Sequence, residues 1–385
     1  MKKKLLSVLL CSVMLVSLMT GCGTKSASTS TADESKATAT QAPADTSKET
    51  PPADTAAAAK KVGVAMPTKD LQRWNQDGAN MKAKLEEAGF EVDLQYANND
   101  IATQVSQIEN MITNGCNVLV IASIDGGSLG TVLAEAKEKS IPVIAYDRLI
   151  MGTDAVSYYA TFDNYMVGTI QGKYIVDALK LDSEAGPFNI ELFTGSPDDN
   201  NARFFFGGAM DILNPYIESG KLKVVSGQKA FEEVATLNWS TEEAQKRMEN
   251  LITAYYADGT KLDVVLSSND SCAIGITNAL VNAGYTGDNF PILTGQDCDI
   301  TSVKNILAGK QSMSIFKDTR TLAAKVVEMV NAILNGTEVP VNDTKTYDNG
   351  TGIIPTFLCE PVFADAKNYK ELLIDSGYYT EDQLN

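Results

Sequence analysis

The segment 117–147, "NVLVIASIDGGSLGTVLAEAKEKSIPVIAYD", indicates how the chain folds. Each end of it is a short and nearly continuous apolar run, and the middle has the spacing of an amphipathic helix. Apolar runs of this length on both sides of a helix are typical of parallel strands that are covered on both faces. The segment therefore predicts a strand–helix–strand unit.

The same alternation continues along most of the chain. The other predicted strands read KVGVAM, FEVDLQYA, FNIELF, KLKVV, KLDVVLS, FPILTG and QSMSIF. The part from Lys60 to Asn385 is longer than one hydrophobic core usually supports, so two lobes are expected. We predict an α/β fold with two doubly wound parallel sheets.

The first residues predict export. Residues 1–21 begin with three lysines, and the apolar run that follows is shorter than the roughly 20 residues that span a bilayer. The sequence "LMTGCG" resembles the lipobox of bacterial lipoproteins, which implies a signal peptide over 1–21 and lipidation of Cys22. An ordinary secretory signal with a chance cysteine is the alternative.

Residues 22–59 consist largely of Ala, Thr, Ser, Asp and Pro. Such a composition buries too little apolar surface to offset the entropy of ordering, so a disordered tether is predicted. A single acyl chain binds membranes only marginally, and stable anchoring implies the multiply acylated cysteine of bacterial lipoproteins. We expect an extracytoplasmic domain that is lipid-anchored to the cell membrane, at the cell surface or in the periplasm.

Composition excludes several function classes. With 32 basic and 49 acidic residues the formal net charge is −17, which argues against nucleic acid and against direct adhesion to anionic lipid. The chain has no histidine, so it lacks the usual general base and the commonest metal ligand. No enzymatic activity and no cofactor are predicted, although catalysis by carboxylates or lysine stays open.

The four cysteines beyond Cys22 are Cys116, Cys272, Cys298 and Cys359. They show no CxxC spacing, and a domain of this size does not need disulfides for stability. We expect four buried free thiols.

Charged, amide and indole side chains follow most of the predicted strands. They are Lys69, Arg73, Trp74, Asp147, Arg148, Asn200, Asn201, Arg203, Trp239, Asn269, Asp270, Gln296, Asp297 and Lys317. Each motif alone has a structural interpretation as a salt bridge, a helix cap or a packing residue. Because the carboxyl ends of parallel strands are where ligands bind, their recurrence favours one binding cleft.

The chemistry of this set suits a sugar. Hydroxyl groups donate and accept hydrogen bonds, and planar carboxylate, amide and guanidinium groups can contact them in pairs. An indole plate packs against the apolar C–H face of a sugar ring. Asp147 and Arg148 are expected to pair with each other and to offer their remaining atoms to hydroxyls.

Specific motifs carry a family resemblance. The segments TKDLQRW, QVSQIENMI, VLVIAS, VIAYDRLI, GSPDDNNA, SSND, GQDCD and FKDTR resemble the periplasmic binding proteins for xylose and for multiple aldoses. These are substrate-binding components of sugar ABC importers. The resemblance implies a type I fold of two Rossmann-like lobes joined by three crossovers. The N-terminal lobe would comprise 60–162 plus 318–345, and the C-terminal lobe 163–317 plus 346–385.

Residue by residue, the resemblance also implies the sugar contacts. They would be Arg73, Trp74, Asp147, Arg148, Asn201, Trp239, Asn269, Asp297 and Lys317, with the two indoles on either side of the ring. Lys69 and Arg203 are second-rank candidates. Galactose-binding relatives carry a calcium loop, and because no acidic loop of that spacing occurs here, no metal site is predicted.

The sequence thus predicts a monomeric lipoprotein that captures an aldose such as xylose, glucose or arabinose and docks on a membrane permease. A sugar sensor read by a membrane receptor or kinase is one alternative. A glycosidase is the other, with Asp147 and Asp297 as its two acids.

Overall fold

A computed structural model describes residues 60–385, and these residues form an α/β fold with three sheets. The predicted signal peptide, the predicted tether and Cys22 lie outside the described residues.

The first sheet has six parallel strands in the order β11-β5-β4-β3-β1-β2. Their bounds are β1 Lys61–Met66, β2 Glu91–Tyr96, β3 Val118–Ile121, β4 Val143–Tyr146, β5 Tyr158–Phe162 and β11 Thr356–Cys359. Strands β3 and β4 pair with Leu119 opposite Val143, and the helix Gly130–Glu138 connects them. The strand–helix–strand unit predicted for 117–147 is confirmed.

The second sheet has four parallel strands in the order β7-β6-β8-β9. Their bounds are β6 Phe188–Phe193, β7 Leu222–Val224, β8 Val264–Ser267 and β9 Ile292–Leu293. Two further strands, β10 Met313–Phe316 and β12 Val362–Asp365, pair antiparallel. This small antiparallel ribbon departs from the all-parallel expectation, because β12 enters straight from the other lobe without a crossover helix.

The described helices cover the faces of the sheets. They are α1 Gln72–Glu87, α2 Ile101–Thr113, α3 Gly130–Glu138, α4 Asn164–Leu179, α5 Asn200–Glu218, α6 Phe231–Val234, α7 Thr241–Leu251, α8 Asp270–Asn282, α9 Ile300–Leu307, α10 Thr319–Asn335 and α11 Glu381–Leu384. Short 3₁₀ turns occur at Leu237–Trp239 and Gly287–Asn289, and π-helical turns at Ile252–Tyr256 and Lys370–Asp375. Within residues 60–385, no helix has the length and apolar character needed to cross a bilayer.

The chain passes between the lobes three times. It leaves the first lobe after β5, returns between β10 and α10, and leaves again between β11 and β12. Helix α10 packs on α1 in the first lobe, and α4 packs on α5 in the second. This is the type I arrangement that the family resemblance implies.

The predicted lobe assignment is wrong for residues 346–359, which belong to the first lobe. Strand β11 lies parallel to β5, with Thr356 opposite Tyr159. The Tyr347 ring packs edge-on against the Tyr159 ring at a centroid distance of 5.2 Å. Pairing with β11 covers the otherwise exposed edge of β5, which is the physical reason for the placement. The third crossover therefore follows Cys359.

The four cysteines Cys116, Cys272, Cys298 and Cys359 are buried free thiols, as predicted.

Helices α4 and α5 touch through glycines. A Cβ atom on Gly168 would overlap the carbonyl oxygen of Phe205, and one on Gly208 would overlap that of Tyr165. Only glycine allows two helix backbones to come this close. The contact lies about one turn after Asn201, which is in the first turn of α5.

Replacing Gly168 with alanine should destabilise the protein. We expect Gly168→Ala to lower the free energy of unfolding by about 1–3 kcal/mol, because the added methyl group pushes the two helices apart. Gly207→Ala is the matched control, since nothing lies within 4 Å of a Cβ at that position of α5. It should instead raise the free energy of unfolding by about 0.5–1 kcal/mol. Urea unfolding followed by circular dichroism measures both, and equal effects would contradict the close contact.

Candidate functional site

A cavity lies between the lobes, where the strands of both parallel sheets end. The lining residues are Leu71, Arg73, Trp74, Asp147, Arg148, Asp199, Asn201, Phe205, Trp239, Asn269, Ser271, Gln296, Asp297, Asp299 and Lys317.

All nine residues that the sequence proposed as sugar contacts line this cavity. The two second-rank candidates do not. Lys69 is exposed, with its Nζ 4.8 Å from the centroid of the Tyr96 ring. Arg203 is exposed on the outer side of α5, where it pairs with Glu232. Its position follows from the helical period, which turns Arg203 away from Asn201.

Arg73 is the centre of a buried charge network. It is only 6% exposed, and its Nε donates to Asp77 at 2.8 Å. Its Nη2 donates to Asp147 and its Nη1 donates to Asp297 of the second lobe, the latter at 3.2 Å. Lys317 adds a second cation, with Nζ 3.0 Å from Asp297 and 3.9 Å from Asp147. Two cations thus hold three carboxylates from both lobes.

The network sets the ionisation of its acids. Burial alone would raise the pKa of Asp147, but the charges of Arg73 and Lys317 more than offset it and hold that pKa below its ordinary value. For Asp77, burial dominates and raises the pKa in spite of Arg73. Asp147 is therefore an anionic hydrogen-bond acceptor at neutral pH, which suits binding and not general acid catalysis.

The expected pairing of Asp147 with Arg148 does not occur. Arg148 places its Nε 3.0 Å from Asp199 of the second lobe, and its Nη1 donates to the carbonyl oxygens of Ser123 and Ile124. The reason is a tight turn at Asp147, which has a φ of +58° while the Arg148 N–H donates to the Tyr146 oxygen. The turn separates two side chains that are adjacent in sequence.

Asp199 is a site residue that the sequence interpretation missed. It caps α5, because its Oδ1 accepts from the Asn201 N–H at 3.0 Å. Its Oδ2 also accepts from Trp239 Nε1 at 3.2 Å and pairs with Arg148. Burial raises its pKa, and Arg148 opposes the rise. The motif SPDDNNA contains this position, but in the sequence alone helix capping is enough to explain its acids.

Besides Asp199 and the nine proposed contacts, five further residues line the cavity: Leu71, Phe205, Ser271, Gln296 and Asp299. Leu71 and Phe205 look like ordinary core residues in the sequence, and Ser271 and Asp299 look like helix starts. No local pattern distinguishes them from structural residues.

Trp74 follows Arg73 on α1, and the guanidinium carbons of Arg73 and Arg148 lie 5.3 and 5.1 Å from its ring centroid. Such cation–π contacts stabilise both the ring and the charges.

Trp239 lies in a 3₁₀ turn with a φ of +55°. Its ring covers Gly195 so closely that a Cβ there would overlap it. Phe205 packs edge-on against it at 6.1 Å. Glycine at the end of β6 is thus required for the indole to reach the cavity.

The two asparagines have structural partners as well as a place at the cavity. Asn201 donates from Nδ2 to the Asp147 carbonyl oxygen and so links the lobes. Asn269 caps α8, where its Oδ1 accepts from the Cys272 N–H at 3.0 Å. Capping uses only the oxygen of the Asn269 amide, so the cap and binding interpretations are compatible there. The Asn201 Oδ1 also accepts from the Tyr159 hydroxyl at 3.0 Å.

Three cavity residues have left-handed backbone conformations, namely Asp147, Trp239 and Asp297, the last with a φ of +97°. Such conformations are costly for non-glycine residues and tend to occur at functional sites.

Nowhere in residues 60–385 do three or more His, Cys, Asp or Glu side chains form a group that could hold a metal ion.

Two Rossmann-like lobes around a cleft with paired charges, amides and indoles define a periplasmic-type binding protein. The chain matches the periplasmic binding protein domain over residues 62–338, and it belongs to this family. Membership makes it an extracytoplasmic binding protein and not an enzyme.

Similar proteins with known names belong to the same class of binding protein. The chain is 54% identical to the multiple sugar-binding periplasmic protein SbpA of Azospirillum brasilense over 325 residues, 84% of this chain and 90% of that protein. It is 39% identical to the D-xylose-binding periplasmic protein of Escherichia coli, over 86% of this chain and 95% of that protein. Among solved structures, an ABC transporter solute-binding protein from Clostridium phytofermentans with bound β-D-glucose is 73% identical, with a TM-score of 0.83 over 85% of this chain and 100% of that one.

Removing the positive charge of Arg73 should destabilise the protein. We expect Arg73→Met to lower the free energy of unfolding by about 3–5 kcal/mol, because it leaves buried carboxylates without their partner. Arg203→Met is the matched control, since its ion pair with Glu232 is exposed, and it should change stability by no more than about 1 kcal/mol. Urea unfolding at pH 7 compares the two. If the Arg73 variant were as stable as the Arg203 variant, the charge network around Arg73 would not contribute to the stability of the protein.

Proposed function

We propose that this protein captures a monosaccharide, an aldose such as glucose, xylose or arabinose, in the cleft between its lobes and delivers it to an ABC permease. The observation that carries the proposal is the cavity itself, where paired charges, amides and two indoles meet. The relatives are named as sugar-binding proteins, which supports the same ligand class.

The balance of charge favours a neutral polyol. Each guanidinium and ammonium group in the cavity already has a carboxylate partner within the protein: Arg73 and Lys317 pair with Asp147 and Asp297, and Arg148 pairs with Asp199. A charged ligand would have to break these pairs, which is costly for buried groups. A sugar only needs to add hydrogen bonds to their unused lone pairs and N–H groups.

We assign the polar contacts to Arg73, Asp147 and Arg148 of the first lobe, to Asn201, Asn269 and Asp297 of the second, and to Lys317 at the crossover. Trp74 and Trp239 would cover the two faces of the ring, because a flat indole buries C–H surface that has no hydrogen-bonding needs.

Lobe closure follows from the same residues. Arg73–Asp297, Arg148–Asp199 and the bond from Asn201 to the Asp147 carbonyl all join one lobe to the other. A ligand that contacts both halves of these pairs stabilises the closed form, and a permease can recognise that form.

The two acids named for the glycosidase alternative, Asp147 and Asp297, do not favour it. A glycosidase needs one carboxyl group with a raised pKa to act as the acid. Instead, Arg73 and Lys317 contact both Asp147 and Asp297, and the pKa of Asp147 is lowered against the effect of burial.

We further propose that a lipid on Cys22 anchors the protein, that residues 22–59 tether it, and that it acts as a monomer.

Sugar binding should be visible as thermal stabilisation. We expect D-glucose, D-xylose or L-arabinose at millimolar concentration to raise the melting temperature, because a ligand that binds only the folded state stabilises it by mass action. The absence of any shift across a panel of aldoses and ketoses would contradict the proposal.

Arg148→Ala should weaken binding of the preferred sugar by about 2–5 kcal/mol, since the change leaves Asp199 buried without its cation. Arg203→Ala, a change of the same type outside the cavity, should bind like the wild type. Calorimetry measures both affinities, and an unchanged Arg148→Ala affinity would remove Arg148 from the site.

Cys22→Ala should release the protein from the membrane fraction of its host, because the thioether-linked lipid can no longer form. Cys11→Ala, a substitution within the predicted signal peptide, is the control and should leave the protein membrane-bound. Immunoblotting of separated fractions distinguishes them, and a membrane-bound Cys22→Ala protein would exclude this anchor.

A further inference from the structure

Two oxygens at the second-lobe side of the cavity have no hydrogen-bond partner. They are Oδ1 of Asp299 and Oε1 of Gln296, in residues that are only 7% and 2% exposed. Both residues line the cavity. Buried polar atoms are nearly always hydrogen-bonded, so each such atom needs an explanation.

The side chain of Asp299 does not cap the helix that follows it. It is the N-cap residue of α9, where an aspartate usually accepts a hydrogen bond from the backbone of the first helical turn. Here its side chain makes no such bond. Local structure therefore does not explain why an acid stands at this position.

The backbone holds both residues firmly. The Asp299 N–H donates to Oδ2 of Asp270 at 2.8 Å, and the Gln296 carbonyl oxygen accepts from the Asp270 N–H at 2.9 Å. The Gln296 Nε2 donates to the Ser268 carbonyl oxygen at 3.1 Å. These bonds occupy the backbone N–H of Asp299 and the side-chain nitrogen of Gln296, and they leave the two side-chain oxygens as acceptors.

We propose that Asp299, together with Gln296, forms an acceptor subsite that takes hydrogen bonds from hydroxyl groups of the bound ligand. This inference rests on the proposed function, because the donors are the hydroxyls of a monosaccharide. It adds a carboxylate and an amide to the set of contacts that sequence and family resemblance supplied.

The electrostatic surroundings make the subsite sensitive to pH. Asp270 from α8 and Asp297 from the same loop face Asp299, Arg73 and Lys317 lie across the cavity, and Cys298 and Tyr379 are also near. Burial and the charge of Asp297 raise the pKa of Asp299 to about 7, against the opposing effect of Arg73 and Lys317.

The sign of the coupling follows. A hydroxyl that donates to Asp299 stabilises its ionised form and so lowers its pKa in the complex. Binding near pH 7 should therefore release a proton. Affinity should be highest above pH 7 and should fall as the pH drops through 7, by at most about tenfold per pH unit for one proton.

Calorimetry with D-glucose, or with whichever aldose gives the largest thermal shift, tests the inference on the wild-type protein. Titrations at pH 6, 7 and 8, each in two buffers with different ionisation enthalpies, give the affinity and the number of protons released. Proton release at pH 7 and weaker binding at pH 6 are expected. Binding without either would overturn the inference even if no variant folds.

Asp299→Asn keeps the shape of the side chain and removes its charge. It should bind about tenfold or more weakly at pH 8, the scale of a hydrogen bond to a charged group, and should lose the proton release. Asp288→Asn is the control, because it makes the same change at an exposed position of the same lobe, and it should match the wild type.

The outcomes separate the two proposals. Wild-type and Asp288→Asn proteins that bind no sugar would contradict the proposed function and this inference with it. A wild type that binds, beside an Asp299→Asn protein with the same affinity and the same pH dependence, would contradict this inference alone.

Discussion

Arg73 makes the contacts on which the cleft depends. Its guanidinium group bonds to Asp77 and Asp147 of its own lobe and to Asp297 of the other, in a site where it is almost completely buried. A buried cation is tolerated only when its N–H groups and its charge are both satisfied. The planar fork of arginine can serve three carboxylates at once, and lysine could not replace it here. Arg73 thereby connects Asp77 and Asp147 of the first lobe to Asp297 of the second lobe.

The rest of the second lobe brings its side chains to this network by close backbone contact. Gly168 and Gly208 let α4 and α5 touch, and Asp199 and Asn201 lie at the start of α5, about one turn before this contact. Gly195 leaves room for the Trp239 ring. Left-handed backbone at Asp147, Trp239 and Asp297 then directs these side chains into the cavity. Such strained conformations are maintained only by surrounding structure, which links the stability of the lobes to the shape of the site.

The interlobe pairs give a physical reason for the ligand-dependent closure that we propose. Arg148 and Asp199 come from different lobes, as do Arg73 and Asp297, so each pair forms fully only when the lobes meet. A neutral sugar placed among these groups adds hydrogen bonds to both lobes without disturbing the charge balance. A ligand can shift a conformational equilibrium only through such differential contacts. The residues that would recognise the sugar are therefore the residues that join the lobes.

The sequence alone determined the alternation of strands and helices, because apolar period and strand length are local properties. The nine contacts that the family resemblance implied all line one cavity, in agreement with the convergence of the carboxyl ends of parallel strands. Only the tertiary structure decided that Arg148 pairs with Asp199, that β11 joins the first sheet, and that Lys69 and Arg203 point outward. Asp299 likewise looks like a helix cap until its unpaired oxygen is seen. These features depend on side-chain direction and on partners distant in sequence, and a one-dimensional pattern contains neither.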